Sequence, residues 1–370
     1  MFSGATYWDA KVEGVNHESL ATIRAVGRAF PANYVPQQVA IDNLRRHWLG
    51  QSGASRRLAR LLETSGVQGR YLALTVPEYR ALKSFGEANQ AWLRVATDLA
   101  ESAARDAMLS TSLAPHDVDH VFFVTGTGIA TPSLDASVIN RMQLRADVKR
   151  TPIFGLGCAG GAGAVARAAD YLRAFPRHVV MVISVELCSL TLQRDDTSPA
   201  NLIASSLFGD GAACVILCGG EVAEAGEARI VGSRSTFYYD TQRVMGWDIV
   251  DSGFKIVMSP EIPNLVRTTL ASEVENFLAC HGLKRRSVRH WIVHTGGPRV
   301  LEAVSQALEL DTRALERSWR MLAAVGNISS ASVLLVLRDL LESGEAGRGE
   351  YGLMIAMGPG FCAELVLLQW

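Results

Sequence analysis

Long hydrophobic runs are what this 370-residue chain most plainly lacks. Its most apolar stretches, VVMVIS and ELVLLQW, fall far short of the ~20 residues a membrane helix needs. The amino-terminal MFSGATYWDAKVEG has no apolar segment behind a positive one, so it does not read as a secretory signal. Neither sign of charge dominates: 36 Lys and Arg stand against 37 Asp and Glu. No basic field or charged tail points to nucleic acid. Cysteine is sparse, with six in all and none in a C-x-x-C pair. Five lie in apolar stretches such as AACVILC and ENFLAC, the ordinary setting of a buried free thiol, which argues against disulfides and a cysteine metal site. No G-x-x-x-x-G-K-[ST] phosphate loop occurs, and VTGTGIATP falls short of G-x-G-x-x-G. A nucleophile elbow is excluded because Leu156, not glycine, stands two before Cys158. His, Cys, Asp and Glu show no zinc-ligand spacing. These absences leave a soluble cytoplasmic protein with no nucleic-acid partner, no membrane insertion and no metal.

What is present is a layered α/β pattern. Forty-eight percent of residues are hydrophobic, enough for a large core, and the length suits two fused units better than one domain. Short apolar strands are expected at 120–126, 178–187, 212–217, 290–295, 351–358 and 364–370. Helices are expected at 90–109, 160–174, 263–281, 298–308 and 330–343. The stretch 219–227 (GGEVAEAGE) is the most loop-like, and divides the chain into units 1–225 and 226–370. The units repeat one another. VDHVFFVTGTG resembles VRHWIVHTGG, with His290 170 residues after His120, and in the same register Asn327 lies 169 after Cys158. A small-residue helix and then a strand follow both Cys158 and Asn327. The expected architecture is a duplicated α/β fold whose equivalent helix starts face one central site.

Three residues in that frame bear chemistry: Cys158 in GLGCAGG, His294 in VHTGG and Asn327 in VGNISS. Each is read as sitting where a strand gives way to a helix. A thiol at a helix amino terminus feels the positive end of the macrodipole, which favours thiolate. A thiolate attacks thioesters well and leaves them well. An imidazole at a strand's carboxyl end stands where open α/β sheets hold ligands. Singly, each residue also fits a plain role: a small residue in a tight crossing, a core histidine, and a helix cap.

GLGCAGGAG, LFGDGAA, HTGGPRVL, GNISSASV and MGPGFCAEL, in that order, resemble the signature blocks of the type III polyketide synthases, the chalcone synthase superfamily. The resemblance runs from about residue 23 to Trp370, and RTPIFGLGCAGG and VELCSLTLQRDD look closer to bacterial members making alkylpyrones or alkylresorcinols than to plant chalcone synthases. It implies a five-layered αβαβα thiolase-like fold, a homodimer, acyl-CoA and malonyl-CoA as substrates, and neither organic cofactor nor metal. Cys158 would carry starter and growing chain as thioesters. His294 would hold it as thiolate and, with Asn327, bind the malonyl thioester oxygen. Phe208 matches a gating phenylalanine, whereas Ile256 replaces a second one. Arg57 and Arg60 match basic positions that hold the coenzyme A phosphates, and Thr64 replaces a third. Gly126, Thr127, Thr191 and Ser329 match cavity-shaping positions, with Gly126 opening space beside Cys158; Thr131 lies where a partner subunit enters.

Gly126 and Ile256 favour a medium- or long-chain fatty acyl starter, extended by malonyl-CoA and released as an alkylpyrone or alkylresorcinol. The alternative is priming by malonyl-CoA itself, giving tetrahydroxynaphthalene, phloroglucinol or dihydroxyphenylacetyl products. A ketoacyl carrier-protein synthase of the same fold would want a basic docking surface, which the near-neutral charge does not offer. A non-catalytic binding partner of this fold has no use for the intact triad.

Overall fold

The computed structural model describes residues 20–44, 46, 63–311 and 313–370. Its strands are β1 (Thr22–Ala29), β2 (Asn33–Pro36), β3 (Gly69–Leu72), β4 (Val118–Val124), β5 (Lys149–Ile153), β6 (Val179–Leu187) and β7 (Asp210–Cys218). There follow β8 (Ala228–Phe237), β9 (Met245–Val250), β10 (Gly253–Met258), β11 (Val288–Val293), β12 (Tyr351–Gly358) and β13 (Cys362–Gln369). Nine of them run side by side in the order β11-β12-β13-β8-β1-β7-β6-β4-β5.

That order contains the duplication. In the first half β4 and β6 are parallel, β6 and β7 antiparallel, and β7 and β1 antiparallel. In the second half β11 and β12 are parallel, β12 and β13 antiparallel, and β13 and β8 antiparallel. The sub-sheets meet through β1 and β8 at only two residue pairs, Thr22 with Arg229 and Ile23 with Ala228. One element breaks the symmetry. β5 flanks β4 in the first half, but among the described residues no strand flanks β11 in the second.

Residue parity along each strand assigns its side chains to layers, because successive side chains point to opposite faces. In β4, Val121 and Phe123 join one core, whereas Phe122 and Val124 join another. In β12, Met354 and Ala356 face inward, while Leu353 and Ile355 face the opposite side. The shared inner core belongs to two central helices, Gly160–Ala174 and Ser332–Ser343. The long helix Phe85–Leu109 covers the outer face of the first sub-sheet, and Ile262–Ala279 with Pro298–Ala307 covers the second. Helix, sheet, central helices, sheet, helix are the five layers expected, and strands buried on both faces read as continuous apolar runs.

Glycine is what lets the centre close. A Cβ on Gly161 would overlap the Ser330 carbonyl oxygen, so the starts of the two central helices touch through backbone. The glycine-rich run after Cys158 therefore has a packing reason as well as a chemical setting.

Candidate active site

Cys158 is delivered by a turn after β5. Gly155 (φ 93°) and Gly157 (φ 45°) take left-handed backbone that a side chain would strain. The one-turn helix Gly157–Ala159 then leads directly into Gly160–Ala174, placing Cys158 at the dipole's positive end. The thiol is buried, with Sγ 3.7 Å from Ser329 Oγ. Burial pushes it up to about 12; the Ser329 hydroxyl opposes the rise, and the buried Glu186 carboxylate adds to it. Ser329 itself is held at φ 43°, an uncommon conformation for a non-glycine residue.

His294 directly follows β11, with its backbone N–H donating to Ile355 O at 2.9 Å. It is buried, its Nδ1 has no partner among the described residues, and burial pulls its imidazole down to about 4. A thiolate at Cys158 and an imidazolium at His294 are thus each costly to form in this buried setting.

Asn327 arrives differently from expectation. It follows the helix Glu316–Val325, not a strand, through Gly326 at φ 76°. The second half has no described counterpart of β5, so the chain reaches the site from a helix end. Asn327 instead pairs with Phe208: its N–H donates to Leu207 O at 2.8 Å, and Gly209 N–H donates to its carbonyl at 2.9 Å. The Asn327 Oδ1 accepts from Ser329 N–H at 2.8 Å, which leaves the side-chain NH2 as a donor.

Cys158, His294, Asn327, Ser329, Phe208 and Ile256 line one cavity of about 510 Å³, with Thr64 also on its wall. Thr191 lies in a smaller adjoining cavity of about 90 Å³. Phe208, Ile256, Trp247 and Cys188 line both, and so form the partition. Gly126 and Thr127 line neither. Their backbone and hydroxyl groups each donate to Glu186 Oε2 at 2.9 Å, while Ser330 Oγ donates to Oε1 at 2.5 Å. Gly126 thus supports the floor behind Cys158, where a Cβ would sit 3.8 Å from Gly157 Cα. Thr131 is exposed. Arg57 and Arg60 lie outside the described residues.

Sequence reasoning missed Trp247, Arg299 and Cys188. Trp247 sits opposite Ile256 in the β9–β10 ribbon, whose weak alternation hid it. Arg299 is an exposed cation on the cavity wall, inside the HTGGPRVL block already singled out. Cys188 lines the cavity and is one of the cysteines read as ordinary core; of the other four read so, Cys214, Cys218 and Cys362 are buried and Cys280 is exposed.

Residues 10–221 match the chalcone and stilbene synthase N-terminal domain, and residues 229–370 the C-terminal domain. A 1,3,6,8-tetrahydroxynaphthalene synthase of Streptomyces peucetius subsp. caesius is 50% identical over 352 residues, covering 94% of this chain and 93% of that protein. A putative chalcone synthase of Bacillus subtilis is 36% identical, covering 95% of this chain and 99% of that protein. The crystal structure of tetrahydroxynaphthalene synthase from Streptomyces coelicolor A3(2), a bacterial type III polyketide synthase, superposes with a TM-score of 0.89 at 29% identity, covering 94% of this chain and 99% of that one. A duplicated thiolase-like fold, both family domains end to end and half of 352 aligned residues shared with one relative lead to a single conclusion: this chain belongs to the chalcone and stilbene synthase family and is a type III polyketide synthase, an acyltransferase.

Proposed function

We propose that this synthase is primed by malonyl-CoA itself and builds a tetrahydroxynaphthalene-type product. The 50% identity to a 1,3,6,8-tetrahydroxynaphthalene synthase, spread over 94% of the chain, carries this reading. A tetrahydroxynaphthalene ring carries oxygens on alternating carbons and no alkyl substituent, so all its carbon comes from two-carbon units and none from a fatty starter. The fatty acyl starter suggested by Gly126 and Ile256 loses ground accordingly, since Gly126 does not line the reaction cavity.

In this reading Cys158 gives its proton to His294 and attacks the malonyl thioester, forming the acyl-enzyme and releasing coenzyme A. A second malonyl-CoA then binds with its thioester oxygen toward His294 and the Asn327 NH2. Breaking its carboxyl bond releases carbon dioxide and leaves an enolate whose charge those donors stabilise. The enolate carbon attacks the Cys158 thioester, the new carbon–carbon bond forms, and the thiolate leaves. Transfer back to Cys158 begins the next round. Arg299 supplies a cation for the coenzyme A phosphates, beside the Arg57 and Arg60 expected from sequence. The working unit is a homodimer in which Thr131 meets the partner, and the reaction needs no metal or organic cofactor beyond the coenzyme A thioesters.

Purified protein given malonyl-CoA alone, with Cys158→Ala as the blank, tests this by mass spectrometry of products. An aromatic polyketide should form at a rate that added fatty acyl-CoA does not raise. Turnover that begins only when an acyl-CoA primer is supplied would sink the reading.

A further inference from the structure

The ribbon of β9 and β10 forms a cavity wall that the nine-stranded sheet does not hold, because its two strands pair with each other in a sheet of their own. Met245 stands opposite Met258 and Trp247 opposite Ile256, so these four side chains share one face, and all four line the reaction cavity. Trp247 and Ile256 line the smaller cavity too, so the partition moves if the ribbon moves. A lone two-stranded ribbon is marginal by itself, and side chains from other elements must therefore fix its position.

Gln193 supplies that hold. It is 9% exposed and lines neither cavity. Its Nε2 shares two N–H groups among three carbonyls: Phe254 O (3.1 Å) and Ser252 O (3.3 Å) at the ribbon's turn, and Thr191 O (3.3 Å). Its Oε1 accepts from the Ser252 hydroxyl at 2.6 Å. Its own carbonyl accepts from Asn201 Nδ2 at 2.8 Å, on the helix Pro199–Leu207 that ends at Phe208. One residue thus ties together the turn Cys188–Thr191, the ribbon and the gate helix, and these are the elements that supply the partition. Neighbouring contacts are less directional. Phe254 packs edge-on against Phe85 at 5.6 Å, and the exposed Lys255 pairs with Asp196 at 3.9 Å, a pair that adds little.

We propose that Gln193 is a positioning residue for chain length. By fixing the ribbon against the gate helix it sets where the Trp247 and Ile256 partition stands, and so how far the polyketide grows on Cys158 before release. An apolar side chain at 193 leaves the Ser252 and Phe254 carbonyls without that donor and lets the partition settle in more than one place. The described hydrogen bonds of Cys158, His294 and Asn327 go to other residues, so the decarboxylating groups are not moved directly. The proposal goes beyond the starter reading above, since it concerns where growth stops whichever thioester primes it.

The test compares the wild type with Gln193→Leu and Ser252→Ala, each given malonyl-CoA alone and malonyl-CoA with hexanoyl-CoA. Carbon dioxide release is measured beside the mass spectrum of released products. In Gln193→Leu, carbon dioxide release should stay within about twofold, because the enolate's donors are untouched. Products a two-carbon unit shorter or longer than the main one should rise about tenfold relative to it, the size of effect one lost buried hydrogen-bond partner carries. Ser252→Ala keeps the amide and removes only its hydroxyl partner, so it should shift the same ratio by a smaller factor. A merely structural role lowers carbon dioxide and all products together; that result, or an unaltered ratio, overturns the proposal. If Gln193→Leu does not fold, Ser252→Ala decides from its exposed turn, a raised ratio supporting the tether and an unchanged one overturning it. A wild type idle with malonyl-CoA alone sinks the priming reading instead, and the hexanoyl-primed products still test Gln193.

Discussion

Ser329 joins strain to function at the scale of one residue. Its left-handed backbone costs on the order of 1–3 kcal/mol, and its hydroxyl works, with a backbone N–H, to lower the Cys158 thiol against burial. Ser329→Gly separates the two. Melting temperature should hold or rise slightly, because glycine takes that conformation freely, while the pH at which iodoacetamide alkylates Cys158 should move upward. An unmoved alkylation profile would show that the 3.7 Å contact does not tune the thiol. Cys158, His294 and Asn327 were legible in sequence because thiol, imidazole and carboxamide sit beside glycines in repeat register. Trp247 was not legible. It looks like any aromatic in a short ribbon; only its pairing opposite Ile256 gives it a cavity to line.

Elements explain why the central helices are rich in small residues. Gly161 meets the Ser330 carbonyl, and backbone cannot step aside as a flexible side chain can. Gly161→Ala should therefore cost about 1–3 kcal/mol, the usual size of an overpacked core, and should lower turnover through misplacement of Cys158. Denaturant midpoints check the first effect and single-turnover loading the second; an alanine accepted without loss of either would refute the contact. Short unbroken apolar runs revealed β4, β6, β7, β12 and β13 from sequence because strands covered on both faces have no polar rhythm. The approach to Asn327 stayed hidden. The repeat implied a strand before it, but the duplication is incomplete there and a helix ends in its place.

At the scale of the whole molecule, buried histidines make one contribution to acid sensitivity. His120, at the end of the first sub-sheet away from Cys158, is pulled from 6.5 to about 4 by burial and by the nearby Lys149 and His178. Between those values the unfolded chain binds the proton that the folded one refuses, so stability falls as pH falls. His294 acts in the same direction from 6.5 to about 4. Asp210, raised by burial from 3.8 to about 6, acts oppositely, since the folded form holds its proton more tightly and gains as pH falls through that range. Glu186, also raised by burial, acts in the same direction as Asp210. His120→Phe should make the decline in unfolding free energy below pH 6.5 shallower; an identical slope would remove His120 from the account. The joint between halves is open to a different probe. The 219–227 loop is largely exposed, and the sub-sheets share only two residue pairs, so the shared central core is what holds the halves together. A protease nick in that loop should leave the fragments co-eluting and active, and fragments that separate would show the loop to be a required tether.

The pairing of Phe208 with Asn327 has a bearing on redesign. Two backbone hydrogen bonds make the segments at Phe208 and Asn327 one rigid piece, although 119 positions part them in the chain. Variants selected for a new product spectrum by shifting the backbone at 207–209 will drag the carboxamide with them. Changes in ring size or chain length should then come with slower carbon dioxide release, whereas substitutions confined to the ribbon at Trp247 and Ile256 escape that trade-off.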